Sequence, residues 1–195
     1  MLIIRRPDLV VAVLALTITF GAAAAWSDAV TDALDAASAA YTEGKLSETA
    51  ARLADANRAL SGLQGAALLA LMPPAPEGWT RAVDTGMMQD MVLVGGGSAI
   101  EATYSSADGQ SFTLGFIADN TMILSMRGMF ANEAMARTFG GKRTIGGAEF
   151  VPQDELTMFA ILADRIMVEA TGAPIAVMEP ILAKIDYAAL AAYGQ

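Results

Sequence analysis

Hydrophobic and polar positions change period twice along this chain, and the changes divide it into three parts. Residues 9–20 are apolar apart from Thr17 and Thr19, with Arg5 and Arg6 before them and Gly21 and four alanines after. A positive region, a greasy stretch and a small-residue site make up the layout of a secretory signal peptide, which predicts export and cleavage between Ala25 and Trp26. Residues 9–25 are at the short limit for a membrane span, and the last five are small, which favours removal over a retained anchor. Pro7 and Asp8 stand where a twin-arginine signal wants apolar residues, so ordinary unfolded export is expected.

The second part has a helical period. Val30, Leu34, Ala37 and Tyr41 fall at i, i+4, i+7 and i+11, one apolar stripe, with Ser27 as the expected N-cap and Gly44 as the stop. Leu46, Leu53 and Leu60 repeat every seven residues, and Ala50, Ala56 and Leu63 widen that stripe into a face suited to a closely packed partner helix. Glu48 and Arg52 form an i,i+4 pair on the outside. Pro73-Pro74-Ala75-Pro76 cannot continue the helix and predicts a stiff, extended connector. The division is a helical hairpin over 26–72, a connector over 73–78 and an α+β domain over 79–195.

In the third part the period shortens to two. Ile100, Ala102 and Tyr104 alternate with polar neighbours, Asp108-Gly109 marks a turn, and Phe112, Leu114 and Phe116 alternate again, which predicts a β-hairpin. Met122, Met126 and Met129 return to helical spacing, and Gly140-Gly141 stops that helix. Three strand-like runs follow, near 142–151, 155–162 and 165–171, the last two joined by a turn at Asp164-Arg165. A final helix is expected over 175–192, with Pro180 in its first turn or at a kink. The order ββαβββα predicts an antiparallel sheet with helices packed on one face, an α+β fold.

Composition narrows the chemistry. The 195 residues include neither cysteine nor histidine, which excludes disulfides, thiolate metal sites, a cysteine nucleophile and the usual serine triad. With 12 basic and 21 acidic residues the chain is at −9, and losing residues 1–25 leaves 10 against 20, so nucleic acid and anionic lipid are poor partners. Gly95-Gly96-Gly97-Ser98 lacks the lysine and the following helix of a phosphate loop, and Gly140-Gly141-Lys142-Arg143 fails in the same way. Asp28, Asp32 and Asp35 share one side of the first helix and read as solvated surface. No serine motif or carboxylate pair nominates a catalytic residue or a cofactor site, so a non-enzymatic protein is expected.

Twelve methionines are the most unusual feature of the composition. Met87, Met88 and Met91 cluster around Gln89-Asp90, and three thioethers in an exported protein are candidate ligands for Cu(I). The alternative is that methionine fills an adaptable core in an alanine-rich chain with few aromatics.

The alanine-rich hairpin, the phrase LMPPAPEGWT (71–80) and the C-terminal RIMVEATG and ILAKIDYAAL (within 165–190) resemble a group of secreted proteobacterial proteins, and the strand–helix order after Gly78 is similar to small domains of the PsbP/DcrB kind. The resemblance implies an assembly or accessory role in the periplasm and brings no catalytic or binding residue with it. The expected function is therefore that of a periplasmic accessory or binding protein with a protein partner in the cell envelope and no stable membrane insertion after cleavage. Cu(I) handling by the methionines and carriage of an apolar small molecule between the helix at 121–139 and the sheet are the alternatives.

Overall fold

The structure, a computed structural model, describes residues 28–84, 86, 96–131, 133–138 and 140–195. The proposed signal peptide lies outside them. The chain begins with an antiparallel helix pair, α1 (Ala29–Thr42) and α2 (Leu46–Leu71). Asp28 caps α1, its carboxylate accepting the Val30 amide at 3.1 Å. The strands are β1 (Trp79–Asp84), β2 (Ser98–Ser106), β3 (Ser111–Ala118), β4 (Arg143–Ile145), β5 (Ala148–Pro152), β6 (Thr157–Leu162) and β7 (Ile166–Thr171). Between β3 and β4 run α3 (Thr121–Ala131) and α4 (Glu133–Thr138), and α5 (Ile175–Leu182) and α6 (Tyr187–Ala191) close the chain. Among the described residues the strands form one antiparallel sheet in the order β1-β2-β3-β7-β6-β5-β4. The fold is α+β with a helical hairpin first, as the sequence predicts.

Period-2 alternation sorts the sheet into two unlike faces. One face carries Ile100, Ala102 and Tyr104 of β2, Phe112, Leu114 and Phe116 of β3, Met158 and Ala160 of β6, and Ile166, Val168 and Ala170 of β7. Onto it pack the C-terminal end of α2, through Leu68 and Met72, and the closing helices, through Met178, Ile181, Leu182, Tyr187 and Leu190. The expectation of helices on one face holds for these three. On the opposite face α3 lays Ile123 against Ala99, Ile117, Phe159 and Met167 in a second, smaller cluster.

Polar contacts fasten the hairpin to the sheet at its base. The Tyr104 hydroxyl donates to the Pro73 carbonyl at 2.5 Å, and the Arg81 guanidinium donates to the carbonyls of Met72 and Pro73 at 3.2 and 3.1 Å. Tyr104 in turn stacks on Phe112 with centroids 5.2 Å apart, and Trp79 meets the same ring edge-on at 6.0 Å. Tyr193 donates to the Gln64 carbonyl at 3.1 Å, while Arg165 makes a bidentate pair with Asp119 and donates to the Tyr193 carbonyl. The connector is thus clamped at its start rather than left as a free spacer.

Three local readings need correction. β1 was not expected, because this edge strand is exposed along almost its whole length and has no buried face to set an alternation. The run 142–151 is a tight hairpin, β4–β5, turning at Gly146 and Gly147, both with positive φ. The final helix is two helices: Pro180 has no amide to continue the ladder, α5 ends at Leu182, and Asp186 caps α6 through the Ala189 amide at 2.9 Å.

Gly146 is where the β4–β5 turn meets the closing helices. A Cβ there would stand 2.6 Å from the Tyr187 ring and 3.2 Å from the Ala183 carbonyl, at a φ of 59°. Gly146→Ala is expected to cost on the order of 2 kcal/mol, seen as a fall of about 4–8 °C in the thermal midpoint followed by circular dichroism. An unchanged midpoint would show that the turn does not pack as described.

Candidate functional site

The hairpin is built inside-out. Where its helices touch, they bury alanines: Ala37 and Ala40 of α1 and Ala56 of α2. In α1 the residues three before and four after Ala37 are Leu34 and Tyr41. In α2 the residues three before and four after Ala56 are Leu53 and Leu60. An antiparallel pair is related by a local two-fold axis perpendicular to its plane, so equal offsets from the contact line put all four side chains on the same face of the hairpin. Leu46, seven residues before Leu53, extends that face to the tip.

These side chains meet solvent, not protein. Leu34, Leu53 and Leu60 are 48%, 45% and 43% exposed, and Leu46 and Tyr41 are each 68% exposed. The sequence expectation that the leucine repeat packs against α1 is therefore corrected: alanine lets the backbones close up, and the larger side chains are displaced to the flank. Each half-exposed leucine forgoes about 1 kcal/mol of burial that a covered one would have. A 14-residue helix is marginal by itself, and among the described residues α1 is held chiefly through its alanine seam on α2.

Charge is confined to the other sides of the hairpin. Arg52, four before Ala56, falls on the reverse face, where it lies between Glu48 at 3.8 Å and Asp55 at 3.7 Å, and Arg58 pairs with Asp55 at 2.8 Å. Asp32 and Asp35 fall on the outer edge and reverse of α1, both exposed. At the tip Lys45 and Glu43 pair at 2.6 Å. The leucine face itself carries no ionisable group other than the Tyr41 phenol.

The sheet offers a second candidate, on the face turned away from the main core. Strand register aligns Asp84, Glu101, Gly115, Glu169, Phe159 and Val151 as one row across β1-β2-β3-β7-β6-β5. Beside it runs a row of four threonines, Thr103, Thr113, Thr171 and Thr157, the last two bonded hydroxyl to hydroxyl at 2.9 Å. Glu101 and Glu169 flank Gly115, which has no side chain to separate them, with two strand spacings, about 10 Å, between their backbones. Burial raises the Glu169 carboxyl above its ordinary range and the Glu101 charge raises it further; burial and then Asp84 do the same to Glu101. Sequence alternation marks Glu101 as facing away from the core, but the row emerges only when β7 pairs with β3 across some fifty intervening residues.

Among the described residues no three carboxylate, imidazole or thiolate groups converge as a metal site. Met87, Met88 and Met91, the candidate Cu(I) ligands, lie outside the described residues. Met122 is exposed and Met126 half-buried against the smaller cluster, so these two do not share one environment. Asp28, read as helix surface, is the α1 cap. Gly97 and Ser98 lead into β2 and Lys142 and Arg143 into β4, so neither glycine pair opens a helix. Comparisons with protein-family models, curated proteins and solved structures find no match to the chain.

The raised carboxyls make a testable pH dependence. A folded carboxyl with a raised pKa holds its proton more tightly than the unfolded chain does, so its contribution is fully present below the ordinary value of 4.5 and is lost as pH climbs through the raised one. Glu169→Gln is expected to raise the thermal midpoint at pH 7 by on the order of 2 °C and to change it little at pH 4. An equal shift at both pH values, or a fall at pH 7, contradicts the assignment.

Proposed function

We propose that the chain is an exported accessory protein that works without catalysis, through protein–protein contacts in the cell envelope. The observation that carries this reading is the leucine face of the hairpin. It exposes Leu34, Tyr41, Leu46, Leu53 and Leu60 around the uncharged Ser38 and Asn57, and exposed apolar patches mark interaction surfaces. The layout of residues 1–25 supports export, and among the described residues no helix is long and apolar enough to cross a membrane. The resemblance of residues 71–80 and 165–190 to secreted proteobacterial proteins fits the same role. The carboxylate–threonine face does not compete with it, because two glutamates set apart across a glycine offer neither an activated nucleophile nor a converging donor set.

Two measurements test the reading together. Intact mass of the chain recovered from a periplasmic fraction is expected to begin at Trp26; a chain kept in the cytoplasm with residues 1–25 attached contradicts export. A benzophenone side chain introduced in place of Leu53 is expected to cross-link to protein in the envelope, and the same group in place of Asp55, on the reverse face, is not. Equal cross-linking from both positions, or none from either, contradicts the assignment of the binding surface.

A further inference from the structure

We propose that α2 carries a built-in joint at Ser61-Gly62, on which the outer part of the hairpin bends relative to the sheet. The inference goes beyond the accessory reading and stands whether or not the leucine face meets a partner.

The two ends of α2 are braced by different neighbours, with a gap between them. α1 ends at Thr42 and α2 begins at Leu46, so at equal rise Ala29, the first residue of α1, comes level with about residue 59 of α2. At the other end the sheet domain takes hold at Gln64, whose carbonyl accepts the Tyr193 hydroxyl at 3.1 Å, and continues through Leu68 and Met72. Among the described residues, 60–63 fall between these two supports. Leu60 and Leu63 are accordingly 43% and 54% exposed, and Gly62 is exposed as well.

Gly62 stands in this gap without a reason in the packing. Its φ is not left-handed, so no turn calls for glycine, and a Cβ built on it meets nothing within 4 Å. Gly65, by contrast, is buried where α2 reaches the sheet. In a helix interior glycine is the costliest residue after proline, because it gives up the most backbone freedom on folding. That same freedom makes adjoining glycine and serine a place where helices bend, and Ser61 precedes Gly62. The cost is thus placed where a bend disturbs neither the alanine seam with α1 nor the contact with the core. From Ser47 to Gly62 the helix spans about 22 Å, so a bend of about 20° swings the tip of the hairpin through about 8 Å.

Electron–electron distance measurement between nitroxide labels on the exported, processed chain tests the joint. The chain has no cysteine, so a Ser47→Cys label near the tip pairs only with one introduced at Ala188→Cys on α6 or Thr80→Cys on β1, all exposed positions. Gly62→Ala is expected to narrow the distribution of at least one of these distances and to raise the thermal midpoint by about 2–3 °C. Ala54→Gly, exposed but alongside α1, is expected to lower the midpoint by a similar amount and leave the widths as they were, because the seam braces that part of the helix. Widths that Gly62→Ala leaves unchanged for both pairs overturn the proposal. So does a midpoint lowered by Gly62→Ala, which would mean that packing requires the glycine, or a broadening by Ala54→Gly, which would mean that any glycine in α2 acts alike.

Discussion

The shape of this molecule depends on a mismatch of lengths. The 26 residues of α2 make a rod of about 39 Å, yet only its last two or three turns, from Gln64 through Leu68 to Met72, find a place on the sheet. The base is held firmly, with Tyr104 and Arg81 on the carbonyls at the start of the connector and Tyr193 on the Gln64 carbonyl. The rest of α2 must find apolar cover elsewhere. α1 supplies it along one seam only, and that seam is alanine. The leucines are left on the flank, and an exposed apolar surface follows from a core contact that stops short.

The sheet domain shows the opposite economy. Its alternating strands put almost every large apolar side chain on the face that α2, α5 and α6 cover, and the reverse face keeps one apolar row for α3 and then turns to threonine and glutamate. Glu101 and Glu169 are held on either side of Gly115 at some cost in stability, since each ionises against burial and a neighbouring charge. The two halves of the molecule thus divide the work: the sheet and closing helices supply stability, and the hairpin supplies exposed apolar area.

Much of this was legible from periodicity. The helix pair, the β2–β3 hairpin turning at Asp108-Gly109 and the buried strands β6 and β7 follow from patterns of 3.6 and 2, and so does the α+β class. What stayed hidden has physical causes. β1 has no buried face, so nothing distinguished it from a loop. The Gly146-Gly147 turn interrupts a run whose two arms have compatible patterns, and Pro180 was seen but not the break that follows it. The leucine repeat was visible, but its direction was not. An apolar heptad looks the same whether it faces a neighbour in the same chain or one in another, and only Ala37, Ala40 and Ala56 at the contact line show that the leucines are left over. The carboxylate row was beyond sequence reasoning because it is made by strand pairing across long loops.

The central claim is that the hairpin is held firmly at its base and incompletely buried towards its tip. Hydrogen–deuterium exchange along α2 measures this directly, because amide protection reports how often each part of that helix opens. The account predicts that amides of residues 46–60 exchange faster than those of residues 64–71, which pack on the main core, and faster than those of β3. Equal protection along the whole of α2 would contradict it.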